Sequence, residues 1–158
     1  MAEMREHTGM GNGPSLLAAL PCEDAALSAA MADGRITVQR LFYDVYGMEF
    51  PAAFDQMNVA TVWMGGQVDV EYPVGVRLSG PDGSVIVEAH AVYVGAPLPR
   101  TAAIVSHLST DGLSLVLPSP GRYSVDVLLD GVPETTFPIY VLMPPARRPA
   151  EGVTDGQD

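Results

Sequence analysis

The sequence predicts an all-β protein folded as one antiparallel sandwich, and three observations carry that expectation. Apolar and polar residues alternate in short runs, the period-two pattern of strands with one buried face. Dense turn chemistry separates the runs, with Asp-Gly steps at Asp33-Gly34, Asp82-Gly83, Asp111-Gly112 and Asp130-Gly131. The third observation is the stretch 113–142, where a Pro120-Gly121 corner leads into alternation through Tyr123, Val125 and Val127. Gly-Arg-Tyr-Ser-Val at 121–125 puts a tyrosine at a strand entrance. Immunoglobulin-like sandwiches place there a corner tyrosine whose hydroxyl bonds to nearby backbone. The expected architecture is an immunoglobulin-like β-sandwich over residues 16–142, between a disordered leader at 1–15 and a disordered, proline-rich tail at 143–158.

Composition supports this class and limits function. The chain has 158 residues, 47% of them hydrophobic and 17% charged, which suits one globular domain with a substantial core. Sixteen glycines and fourteen prolines are many for a helical protein and ordinary for a turn-rich β protein. Eight arginines, no lysine and 19 acidic residues give a net charge of −11. An acidic surface repels phosphate backbones and anionic lipids, so neither nucleic acid nor membrane is an expected partner. Solubility alone accounts for the charge. Cys22 is the one cysteine, so these residues hold no disulfide among themselves. The longest N-terminal apolar run, 16–20, is too short to span a bilayer and follows Glu3 and Glu6 rather than a basic segment. The expected location is the cytoplasm.

Along the chain, 16–32 is ambiguous. The run 23–31 is full of helix formers, while Leu20 and Cys22 on one side would suit a strand. Asp33-Gly34 supplies a turn, and 35–45 follows as a strand whose apolar phase changes near Gln39-Arg40, from Ile36 and Val38 to Leu41, Tyr43 and Val45. Such a change marks a β-bulge or a switch between sheets. The segment 51–55 crosses between sheets. The run 58–64 is apolar on both faces, as a central strand should be, with Trp63 its largest side chain. Gly80-Pro81-Asp82-Gly83 closes a hairpin in which Ser79 facing Ser84 would pair Leu78 with Val85 and Val76 with Val87. Strands are expected at 103–108 and 113–117. For the last hairpin, a three-residue loop at 131–133 pairs Val127 with Phe137 and Val125 with Ile139, keeping the apolar faces matched.

Several of these features together resemble a family of small bacterial proteins known only as a domain of unknown function. They are Cys22-Glu23-Asp24, Gly34-Arg35-Ile36-Thr37-Val38, Phe50-Pro51, Pro81-Asp82-Gly83, and Pro120-Gly121-Arg122-Tyr123 before Asp130-Gly131. The resemblance spans roughly residues 16–142. It implies an immunoglobulin-like sandwich in which the Cys22 segment is an edge strand, and it carries over no catalytic residue.

Candidate chemistry is sparse. His90 and Glu88 share the outer face of one strand, and Asp69 and Glu71 lie on the facing strand. One imidazole among carboxylates could hold a divalent metal or support a metal-dependent hydrolase. A solvated acidic face is the plainer account. His7 lies in the leader, and His107 has no acidic neighbour at period two. No G-x-S-x-G elbow, D-x-D-x-D-G loop or glycine-rich phosphate loop occurs. Cys22 has no activating neighbours and suits a buried thiol. No catalytic residue and no cofactor are expected. Ile86, Val92 and Val94 share the face of Glu88 and His90. They would either meet a protein partner or a second copy of the chain, or pack beneath 16–32. The expected function is thus a non-enzymatic interaction or assembly module. Metal binding through Asp69, Glu71, Glu88 and His90 is the alternative.

Overall fold

The computed structural model describes residues 12–27, 36–55 and 57–146, and every regular element among them is a strand. In chain order these are β1 (Pro14–Leu27), β2 (Ile36–Leu41), β3 (Asp44–Tyr46), β4 (Ala52–Phe54), β5 (Asn58–Gly65), β6 (Glu71–Ser79), β7 (Val85–Val94), β8 (Thr101–His107), β9 (Leu115–Leu117), β10 (Gly121–Leu129) and β11 (Val132–Leu142). One sheet runs β2-β1-β5-β8, a second β3-β11-β10-β6-β7, and β4 pairs with β9. All pairings are antiparallel except β3 with β11.

The core lies between the two larger sheets because each sends its alternate apolar residues to the other. Trp63 of β5 is buried against Val74, Tyr93 and Val127 of the second sheet. Its ring lies 6.2 Å from that of Tyr93, and its Nε1–H donates to Thr61 Oγ1 at 3.0 Å, which satisfies both buried polar groups. A larger cluster joins Met57 and Val59 to Val76, Leu78, Tyr123, Val125 and Ile139. Tyr123 is fully buried and donates its hydroxyl to Ser119 O at 2.7 Å. The corner bond expected from the sequence is present.

The ambiguous segment is a strand. β1 starts at Pro14, inside the stretch read as leader, and its 14 residues pair with β5 on one side and β2 on the other. The edge position implied by the resemblance is corrected: β1 is interior to its sheet. Its helix formers at 24–27 are overridden because pairing with β2 engages their backbone while 14–22 pair with β5, and helix propensity is worth only tenths of a kcal/mol per residue, about 0.7 at most for ordinary residues. The Asp33-Gly34 turn, residues 1–11 of the leader and residues 147–158 of the tail lie outside the described residues.

The phase change at Gln39-Arg40 is a switch between sheets. β2 pairs with β1 in the first sheet, Arg40 takes a positive φ of 54°, and β3 then joins the second sheet beside β11. The segment read as a simple crossing carries β4, which pairs with β9.

Both hairpin registers differ from expectation by an even step. In β6–β7, Leu78 faces Val87 rather than Val85, and Val76 faces Ala89. The turn is longer than assumed, with Gly80 N donating to Ser84 O at 2.8 Å, and a bulge between Leu78 and Ser79 absorbs Ile86. In β10–β11 the turn is the two-residue Asp130-Gly131, with φ of 51° and 77° at its two positions, the type I′ geometry that matches strand twist. A bulge between Val127 and Leu128 then sets Val125 opposite Phe137. The bulge restores the apolar face that a two-residue turn alone would have lost.

Candidate functional site

The outward face of β6 and β7 holds the sequence-predicted candidates. Arg77 and Glu88 are paired across the strands, and Arg77 Nε donates to Glu88 Oε2 at 2.9 Å. His90 Nε2 lies 3.5 Å from Glu88 Oε1, with the imidazole 73% exposed. Opposite His90 is Gly75, where an added Cβ would sit 3.0 Å from Ala89 O. The missing side chain leaves a shallow hollow of about 210 Å³ between Glu88, His90 and Leu128.

Asp69 and Glu71 do not join this pair. Glu71 faces Val94, four residues along β6 from Gly75, which at about 3.3 Å per residue is roughly 13 Å. Asp69 lies before β6 with a φ of 62°, its amide bonded to Gly95 O at 3.0 Å. Among the described residues, no group of three or more His, Cys, Asp and Glu is placed to hold a metal ion. Glu88 is already bound by Arg77, so the two form a part-buried ion pair flanked by an imidazole.

Of the apolar candidates, Ile86 packs against the larger core cluster. Val92 and Val94, by contrast, are 54% and 48% exposed, opposite Pro73 and Glu71. They project from β7, the edge of its sheet. The described part of 16–32 belongs to the other sheet and does not cover them.

Sequence reasoning missed a cleft of about 540 Å³ where the chain leaves β2 for β3. Phe42, Val45, Phe54 and Met57 supply its apolar lining, with Glu23, Asp44 and Asp55 around them. Each carboxylate already has a donor: Arg40 to Glu23 at 2.9 Å, Tyr46 to Asp44 at 3.3 Å and Ser114 to Asp55 at 3.0 Å. The phase change at Gln39-Arg40 was the one sequence signal of this place.

The remaining nucleophile and bases are in structural roles. Cys22 is fully buried, and burial pushes its thiol up from the ordinary value, the reverse of an activated nucleophile. His107 is exposed and meets Asn58 Oδ1 through Nδ1 at 3.0 Å. Tyr93, whose ionisation burial also disfavours, donates to Gly65 O at 2.9 Å. No helix of the described residues is long and apolar enough to cross a membrane.

Fold and site together define an all-β domain of multiple, mainly antiparallel sheets with apolar groups left on a sheet edge. The chain belongs to the family of unknown function DUF6941, which matches residues 17–142. No curated protein matches it.

Proposed function

We propose that this chain is a non-enzymatic interaction or assembly module of a bacterial cytoplasm, built on an immunoglobulin-like sandwich. Two features support the immunoglobulin-like reading: the buried Tyr123 corner, and the early chain, which leaves the first sheet after β2 so that β3 runs parallel with the last strand. The observation that carries the functional reading is the exposure of Val92 and Val94 on edge strand β7. Apolar surface left in water forgoes about 25 cal/mol for each Å² that a partner could cover. An edge strand also offers unpaired backbone groups for strand addition. The test is Val92→Asp with Val94→Asp. The double variant keeps the wild-type circular dichroism and melting behaviour and loses the proteins that the immobilised wild-type chain retains from its host lysate. Global unfolding of the variant, or unchanged retention, overturns the reading.

A further inference from the structure

Strand β3 is the outermost strand of the five-stranded sheet and is bonded only to β11. Tyr43 O accepts from Tyr140 N at 2.8 Å, and Gly47 N donates to Leu142 O at 2.9 Å. The backbone groups of Tyr43 and Gly47 therefore face β11. Backbone direction alternates along a strand, so the N–H and C=O groups of Asp44 and Tyr46 face the other edge. Among the described residues no strand or turn bond takes them up. That edge runs along the 540 Å³ cleft, whose described walls come from the β3 side, β1 and β4, with nothing from β11. Its volume falls within the range of about 300–1,000 Å³ usual for ligand sites. The cleft is open: Asp44, Tyr46 and Asp55 are exposed, and Phe42, Val45 and Phe54 are half-buried.

We propose that this cleft takes an extended, arginine-bearing peptide segment of a partner protein, added as a strand along β3. The proposal goes beyond the β7 reading, because it names a different edge and the chemistry of what binds there. Backbone comes first. The free donors and acceptors of Asp44 and Tyr46 are what an added strand pairs with.

Side chains then select the occupant. They alternate across a strand, so an added residue beside Val45 points inward and its two neighbours point outward. Val45, Phe42 and Phe54 all pack against the larger core cluster, so the inward position suits an apolar side chain. The outward neighbours flank Asp44 and Tyr46. Arg40 engages Glu23 at 2.9 Å, whereas the bonds described for Asp44 and Asp55 come from the hydroxyls of Tyr46 and Ser114. Among the described residues those two carboxylates stand without a cation, in a chain of net charge −11. A guanidinium can pair with both oxygens of a carboxylate such as Asp44 and lie against a ring such as that of Tyr46. An acidic or neutral segment gains neither contact.

Fluorescence anisotropy with the full chain tests this. The probe is a labelled five-residue peptide, arginine alternating with valine and blocked at both ends. It is expected to bind with a Kd below about 1 mM. Glutamine in place of the arginines, N-methylation of every peptide residue, and Asp44→Arg in the protein are each expected to weaken binding about tenfold. Should Asp44→Arg lose the wild-type circular dichroism spectrum, Asp44→Asn takes its place, with a loss of about threefold. No binding up to about 1 mM overturns the proposal. Equal binding of the glutamine peptide overturns it too, as does full affinity in the Asp44 variant. Equal binding of the N-methylated peptide shows a cleft for small organic cations without strand pairing, and overturns it as well. The Val92→Asp, Val94→Asp variant binds the peptide as wild type does; affinity lost there and kept in Asp44→Arg overturns this edge and assigns strand addition to β7. A peptide that fails to bind leaves the β7 reading intact, because that reading is judged by partner retention.

Discussion

Tyr123 shows how one side chain secures a corner. Its ring is buried with Val125 and Ile139, and its hydroxyl satisfies Ser119 O at 2.7 Å. Tyr123→Phe keeps the ring and removes the donor, so it is expected to cost about 1 kcal/mol in urea unfolding with an unchanged slope. Asp111 works differently, as a loop clasp. Its carboxylate accepts from Ser114 N at 2.7 Å and Leu113 N at 2.8 Å, and these bonds hold its pKa below the ordinary 3.8. A lowered folded pKa stabilises above the unfolded value and is lost as pH falls through the folded one. Wild type should therefore exceed Asp111→Ala in urea midpoint near neutral pH, and the gap should close below about pH 4. A gap independent of pH would exclude the carboxylate as its source.

At the scale of elements, the Asp130-Gly131 turn governs the last hairpin. Gly131 has a φ of 77° and open space where a Cβ would stand, so Gly131→Ala is a conformational change without a clash. It is expected to cost about 1 kcal/mol, seen as a lower urea midpoint. The two hairpins also show what alternation can and cannot specify. A shift of two residues keeps every side chain on its face, so apolar matching alone could not separate Val125 opposite Ile139 from Val125 opposite Phe137. The bulges that chose between them cost one unpaired residue each and leave no mark in the apolar pattern. In the candidate site, the same two-residue step moved Val94 from beyond Val70 to a place opposite Glu71. Glu88 was legible as an outward carboxylate. Its partner Arg77 depended on the register.

For the whole molecule, Trp63 joins the two sheets, buried from β5 against Val74 and Val127. Trp63→Ala is expected to cost about 3–5 kcal/mol, measured by denaturant unfolding, because the cavity would sit where the sheets meet. As the one tryptophan, Trp63 also reports on its own surroundings. Its emission should be blue-shifted in the folded chain and move to the red in one cooperative step with unfolding. Charge acts at this scale too. At −11 the folded chain repels itself, so added salt should raise the melting temperature, with most of the rise by about 0.15 M as the Debye length falls to about 8 Å.

The sequence by itself determined the strand class, the inward faces and the corner. Period-two alternation reports burial directly, and Gly-Arg-Tyr is a local signature. It also marked the sheet switch at Gln39-Arg40, because a strand changing sheets must change its buried side. Tertiary structure decided what depends on distant partners. β1 became an interior strand despite its helix formers, since β5 and β2 each supply it with backbone bonds. It also separated Asp69 and Glu71 from His90, and it laid Ala18, Val62 and Ala103 beside one another from strands far apart in the chain. Which residues share a row is a property of strand order and register. Those are set by long-range pairing and bulges, and no local pattern encodes them.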